Sequence, residues 1–327
     1  MVGTDRCIAD GPLARRVFYA RQMRIAIAGS SGVVGSALSV ALSSRGDEVI
    51  RLTRPQSTDA GVSWDPEVGT IDMEAIEGLD AVVNLSGRSI GDRRWTQAER
   101  QRLWSSRVDS TRFLASALAS LDRPPAVLIS ASAVGYYGDG GDSLLDETSP
   151  AGSGFLVDLC VAWEAANRPA ANAGIRTAQL RSGIVLSASG GALGRLLAPF
   201  GPSWISPFRW GMGGPVAGGR QWWSWISLDD EIRAIVHILD ASISGPVNLV
   251  SPNPVTNSEF TKALGRVLHR PTVMPIPGFV LRILLGSGLA EGLVLDGQRA
   301  VPAVLTDSGF EFAHNDVDVG LSAAFAG

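Results

Sequence analysis

Near its amino terminus the chain reads RIAIA, GSSGVVG and SALSVALSSRG without interruption, from Arg24 to Gly46. The short apolar run suits a buried strand, the last segment repeats apolar residues at helical spacing, and Gly46 is the residue type that ends a helix. Between them Gly29, Gly32 and Gly35 recur at three-residue intervals. That spacing lets the first glycine take a tight turn, the second admit backbone N–H groups close to a diphosphate, and the third bring helix onto strand. The helix start adds unpaired N–H groups and a positive dipole end. A glycine triplet alone is a weak signal. Flanked by strand and helix, it predicts a dinucleotide site built from Gly29, Ser30, Ser31, Gly32, Val33, Val34 and Gly35.

The next strand, EVIRLTRP, ends where such a fold presents a group to the adenosine ribose. A carboxylate there selects NAD, but this chain offers Thr53 and Arg54, and its next acid is Asp59. A guanidinium fork suits a 2′-phosphate, so NADP is expected in preference to NAD; a solvated surface arginine is the alternative. Strands follow at residues 80–85, 126–130 and 175–183, separated by helices over about 96–121 and 154–173. Alternation of this kind predicts an α/β fold with a doubly wound parallel sheet and a ligand crevice at the carboxyl ends of its strands. Leu85, Ser86, Gly87, Ser130, Ser132, Arg181 and Ser182 should face that crevice.

Composition narrows the function. With 45% hydrophobic and 18% charged residues over 327 positions, the chain is globular in type. A net charge of -4 offers no basic footprint for nucleic acid. No apolar run reaches the roughly 18 residues that span a bilayer, so no membrane role is expected. Cys7 and Cys160 are the only cysteines, which fits a reducing, cytoplasmic setting. His237, His269 and His314 share no ligand spacing, and no metal site is expected. Residues 1–22 show no regular period and are read as a disordered or misassigned extension, with Met23 opening a dinucleotide-binding domain over 23–185. A smaller C-terminal α+β lobe, 186–327, follows, and sheet elements of the two can interleave.

The sequence resembles the extended short-chain dehydrogenase/reductases. GSSGVVG is similar to their glycine turn, NLSG to their N-A-G segment, and QWWSWISLDDEIRAI to the strand and helix after their substrate lobe. More narrowly it resembles an atypical branch, the epimerase-family proteins, through NLSGRSIGDRRWTQAERQRLWSSRVDSTRFL, SASAVGYYGDGG, GMGGPVAGGRQWWSWI, PNPVTNSEFTKALGRVLHRP and GQRAVPAVLTDSGFEF. The resemblance implies a Rossmann-type fold that binds NADP, a variable C-terminal lobe and an activity labelled oxidoreductase or epimerase (isomerase). It does not imply a substrate.

Enzymes of that superfamily pair a serine with Tyr-x-x-x-Lys, the lysine charge lowering the tyrosine's pKa so that it can exchange a proton near neutrality. Aligning WEAA with the equivalent helix sets Leu156 at the tyrosine position and Cys160 at the lysine position. Lys262, the only lysine, lies far downstream. Ser132 fits the serine position better than Ser130. Tyr136 and Tyr137 are left as candidate acids, provided that an arginine such as Arg107 or Arg181 lowers the pKa; packing roles for both rings are the alternative.

Arg107 lies on the long helix and is read either as an inward group supporting the cofactor site or as a surface ion-pair partner. Arg220 precedes Trp222, Trp223 and Trp225, whose alternation puts Trp223 and Trp225 on one face, either of a substrate cavity or of the core. With Ser132 and Arg181 they form the expected substrate set. Asp230 reads as a helix N-cap, and so does Thr256 or Asn257 with Glu259 behind. The run GMGGPVAGGR reads as a loop over the site, and an apolar helical face in the C-terminal lobe leaves a homodimer open. Two functions stand: an NADP-dependent oxidoreductase or epimerase on a hydroxyl or carbonyl of a small substrate, nucleotide-linked or not, and an NADP(H)-binding regulatory or sensor protein without turnover.

Overall fold

In the computed structural model, residues 22–197, 208, 211 and 213–326 are described. The extension expected at 1–22 lies outside them except for its last residue, as does Met212 of the glycine-rich loop. An eight-stranded sheet forms the centre. Across it the strands run Gly245–Leu249, Arg176–Ser182, Val127–Ala133, Ala81–Asn84, Arg24–Ala28, Glu48–Thr53, Val62–Asp65 and Thr70–Ile71. All neighbours pair in parallel except the last two.

Near-continuous apolar strands are what a sheet covered on both faces requires. Ile25, Ile27, Ala81, Val83, Val127 and Ile129 pack on one face, against Leu38 and Leu42 of helix Val33–Arg45 and Ile235 and Ile238 of helix Leu228–Asp240. Ala26, Ala28, Val82 and Leu128, one residue out of phase, pack on the other against Leu114 and Leu118 of helix Ser110–Ala119. Period-two side-chain alternation thus fills two cores from one set of strands.

The long helix expected over 96–121 is interrupted. Helix Gln97–Trp104 passes through a π turn, Ser105–Asp109, before resuming at Ser110. The helix expected over 154–173 is two, Phe155–Ala165 and Arg168–Asn172, with Pro169 in the first turn of the second.

The C-terminal lobe has its own core. Trp223 and Trp225 do not lie on one strand: Trp222–Trp223 pairs antiparallel with Val255–Thr256, while Trp225–Ser227 pairs in parallel with Ile184–Leu186. Both indoles pack with Leu186, Phe260, Leu264 and Leu321. Burial of Phe260 alone contributes about 2–3 kcal/mol. Strand Gly245–Leu249 and helix Leu228–Asp240, although late in the chain, serve the main sheet.

Asp230 is not an N-cap. Ser227, extended at a strand end, caps the helix by accepting from the Asp230 N–H at 3.1 Å. Asp230 is instead fully buried and accepts from Arg233 Nη1 and from the backbone N–H groups of Ala313 and His314 at 2.7–2.8 Å. With Asp229 and His314 it forms a compact acid–imidazole group that sequence spacing did not reveal. Its oxygens are occupied by N–H donors, so it anchors the C-terminal segment. Thr256, rather than Asn257, caps the next helix, in a full capping box with Glu259.

Candidate functional site

Gly29 sits at φ +81°, and a Cβ there would stand 2.6 Å from the Leu85 carbonyl oxygen. A Cβ on Gly35 would overlap the Gly29 carbonyl. Both positions therefore exclude any side chain, the first by conformation and contact, the second by contact. Gly32 is the N-cap of helix Val33–Arg45 and provides no side-chain cap, which leaves the first-turn N–H groups open to a ligand. A cradle of bare backbone closed by glycines fits a diphosphate.

The turn fronts a cavity of about 1080 Å³. Gly29, Ser30, Ser31, Thr53, Arg54, Ser86 and Gly87 line it; Gly32, Val33, Val34, Gly35 and Leu85 are not part of that lining. Arg54 lies at the far end, its guanidinium 5.3 Å from the Trp64 ring centroid and 3.7 Å from Asp65 Oδ1. Asn84 fixes the wall opposite: its Oδ1 accepts from the Ser86 N–H and Oγ at 3.2 and 2.6 Å, and its Nδ2 donates to Thr111 Oγ1 at 2.9 Å. Glu99, also buried, accepts from Arg88 Nε at 2.7 Å and Arg102 Nη1 at 3.3 Å, and the Arg88 bond above all holds its carboxyl below the usual range. Thr96-x-x-Glu99 has the form of a capping box, which masked this charge-binding role.

At the carboxyl end of strand Val127–Ala133 a second cluster assembles. Ser130 is fully buried within the sheet, and Ser132 stands next to the last residue of the strand. Ser132 Oγ donates to Glu164 Oε1 at 2.8 Å. The same carboxylate receives Arg181 Nε at 2.8 Å and Nη2 at 2.9 Å, a two-pronged pair with 3% and 15% of the respective side chains exposed. Arg181, expected to meet substrate, is thus buried and engaged. Its Nη1 donates to Tyr137 Oη at 3.0 Å, and its guanidinium lies 3.5 Å from the Tyr136 ring centroid.

The two tyrosines differ. Tyr137 is buried, with its hydroxyl 2.7 Å from Asn248 Oδ1 and 2.9 Å from the Asp146 carbonyl. Burial pushes its pKa up and outweighs the opposing Arg181 bond, so the arginine does not make Tyr137 a ready acid. Tyr136, half-buried and edge-on to Tyr137 at 5.3 Å, makes no hydroxyl hydrogen bond among the described residues. Beside them, Leu156 and Cys160 approach Gly135, on the helix where a Tyr-x-x-x-Lys pair would sit. Burial drives the Cys160 thiol up to about 12, leaving it neutral.

Arg107 points inward from the π turn, as one of its two readings had it. Its Nη2 donates to the Arg88 carbonyl at 2.8 Å, and its guanidinium lies 5.2 Å from the Trp163 ring centroid. Of the substrate set, Trp225 is fully buried and donates Nε1 to the Asn253 carbonyl at 3.0 Å, and Trp223 is 7% exposed in the same core. Both indoles pack in the lobe core, and the Trp223 Nε1 is buried without a partner among the described residues. Arg220 is exposed. Sequence reasoning also missed Glu231, fully enclosed where strand Arg176–Ser182 ends. It accepts from Ser182 Oγ at 2.7 Å, and burial lifts its carboxyl to about 8.

A doubly wound sheet with an open helix N-terminus at its switch point defines a dinucleotide-binding protein of Rossmann type. The chain belongs to the NAD dependent epimerase/dehydratase family, whose model matches residues 25–250; a domain of unknown function, DUF1731, matches 276–324. It is 46% identical over 303 residues to an epimerase family protein of Mycobacterium bovis, spanning 92% of this chain and 97% of that one. The human epimerase family protein SDR39U1 (isoform 2), solved with NADPH, superimposes with a TM-score of 0.83 at 32% identity over 92% of this chain and 99% of that one. A nucleoside-diphosphate sugar epimerase from Corynebacterium glutamicum matches at TM-score 0.72 and 35% identity, over 92% of this chain and 59% of that one. No helix among the described residues is long and apolar enough to cross a membrane.

Proposed function

We propose that the chain is an NADP(H)-dependent oxidoreductase or epimerase acting on a hydroxyl or carbonyl of a small, nucleotide-linked or simpler substrate. One observation carries this reading: the glycine cradle and the Ser132–Tyr136 end belong to one row of strand ends, so a nucleotide laid along it would reach both. Bound nicotinamide supplies or accepts hydride. Gly29 to Gly35 would hold the diphosphate, and Thr53 and Arg54 the ribose 2′-phosphate. Ser132, its proton committed to Glu164, offers lone pairs to a substrate hydroxyl, and Tyr136, whose hydroxyl is free, is the candidate proton donor. The likeness to a homologue solved with NADPH supports NADP over NAD. Helix Gly278–Leu285, with Phe279 62% and Ile283 66% exposed, is where a homodimer would close.

The competing function, NADP(H) binding without turnover, draws support from the neutral Leu156 and Cys160 and from the engaged hydroxyl of Tyr137. Thermal shifts with NADPH and NADH test the cofactor. Arg54→Asp is expected to weaken NADPH by tenfold or more and NADH little, and equal losses would refute the 2′-phosphate role. Oxidation of NADPH over a carbonyl library then separates the two functions. Tyr136→Phe should lower any turnover by about 10²-fold or more, and undiminished turnover would remove Tyr136 from the mechanism.

A further inference from the structure

Arg107 is a buried cation with no acidic partner among the described residues. It is 8% exposed, and its recorded acceptors are neutral: the Arg88 carbonyl at 2.8 Å and Ser106 Oγ at 3.3 Å. Other arginines at the crevice are spoken for. Arg88 and Arg102 share Glu99, Arg181 is paired with Glu164, and Arg54 stands near Asp65. Cys160, on the neighbouring helix, is a neutral thiol and offers no counter-charge. An uncompensated buried charge is costly, and natural sequences discard such groups unless a ligand or a partner repays them. Burial lowers its pKa to about 10, still leaving it charged at neutral pH.

Its placement is not incidental to the helix. The π turn Ser105–Asp109 adds a residue to an otherwise regular helix and directs Arg107 and Val108 inward, an interruption that recurs at functional sites. Gly87, which lines the crevice, separates the guanidinium from it. A Cβ on Gly87 would lie 3.5 Å from Arg107 Cζ, so a side chain there would pack on the guanidinium. Arg107 also lies 5.2 Å from the Trp163 ring centroid, on the helix whose Leu156 and Cys160 approach Gly135, beside the Ser132–Tyr136 end. Nearby surfaces are apolar: Trp95, Phe155 and Leu156 cluster there, with Gly292 against Trp95 and Leu156.

We propose that Arg107 binds an anionic oxygen of the reacting molecule, so that the substrate of this site is a carboxylate-bearing hydroxy or oxo compound with an apolar remainder. The planar donors of a guanidinium suit the two oxygens of a carboxylate. The proposal rests on the oxidoreductase or epimerase reading.

The test uses the full chain saturated with NADPH, titrated calorimetrically with 2-oxobutanoate, its neutral methyl ester and inorganic phosphate. The keto acid is expected to bind at least tenfold more tightly than the ester and than phosphate. Arg107→Gln should abolish that preference while changing NADPH affinity less than threefold, and Arg107→Lys, which keeps the charge, should retain part of it. Equal binding of acid and ester, or preference for phosphate, overturns the proposal in the unaltered protein, whatever the folding of the variants. A preference that survives Arg107→Gln with the fold intact overturns it too, as does a loss of NADPH affinity in that variant, which would assign Arg107 to the cofactor's phosphates. Failure of the unaltered protein to bind NADPH at all sinks the underlying function instead.

Discussion

Glu164→Gln isolates the central ion pair. The substitution keeps the side-chain shape and a carbonyl oxygen that can still accept from Ser132 Oγ, but it removes the charge that faces Arg181 along two hydrogen bonds of 2.8 and 2.9 Å. Arg181 is 3% exposed and cannot turn to water, so it would be left as an unpaired buried cation. Breaking such a pair from one side costs about 3–5 kcal/mol, and at about 2–4 °C per kcal/mol the melting temperature should fall on the order of 10 °C. Arg181→Met leaves Glu164 with 15% exposure and should cost less. The double variant removes both charges, so its loss should fall short of the summed single losses by about 2 kcal/mol or more. Urea unfolding of all four proteins, with the slope checked for constancy, supplies the cycle. Additive losses, or a Glu164→Gln cost below about 1 kcal/mol as for a surface pair, would refute the assignment of a buried, mutually dependent pair.

Gly29→Ala should add strain of about 1–2 kcal/mol from its positive φ and push its Cβ against Leu85, moving the Ser86–Gly87 wall; calorimetry should show NADPH binding weakened tenfold or more, and an unchanged affinity would refute the cradle. Glu231 gives a pH signature. Its folded pKa, about 8, lies above the unfolded value near 4.5, so the folded state holds the extra proton and this group's contribution falls as pH rises between those values. Glu231→Gln, which cannot ionise, should flatten the fall in melting temperature from about pH 5 to 8, by up to a few kcal/mol in stability terms; an identical slope in both proteins would show that Glu231 does not titrate there.

What could be read from the sequence was whatever depends on neighbours along the chain. The Arg24–Gly46 unit was legible because a strand, its glycine turn and its helix are each written in local periodicity, and Gly29, Gly32 and Gly35 carry their reasons in their spacing. Thr256 and Glu259 announce a cap for the same reason. The Asp230 assignment failed because the helix begins earlier, at Ser227, whose extended backbone is set by pairing with Ile184–Leu186, far away in sequence. Trp223 and Trp225 alternate as a strand should, but only the packing of Phe260 and Leu321 from distant helices decides that they fill a core. The π turn leaves no mark in the apolar pattern, since one added residue in a polar stretch disturbs no hydrophobic repeat.

The Ser132–Tyr136 end shows how far the missing lysine is a local matter. Leu156 and Cys160 make that helix face neutral, yet positive charge returns from other elements, Arg181 from a central strand and Arg107 from the π turn. These two guanidinium groups are not equivalent replacements. Arg181 touches a tyrosine hydroxyl, as the absent lysine would be expected to influence one, but Glu164 neutralises it and burial keeps Tyr137 a weak acid. Arg107, next to Gly87 and 5.2 Å from the Trp163 ring centroid, meets neither a tyrosine nor an acid among the described residues. One arginine thus contacts a tyrosine and is paired with an acid, and the other has no acidic partner among the described residues. Chemistry at this site should consequently depend more on the charge of the molecule that enters than on proton exchange with Tyr137, which is why the Arg107 and Tyr136 substitutions, and not Tyr137→Phe, are the ones that discriminate.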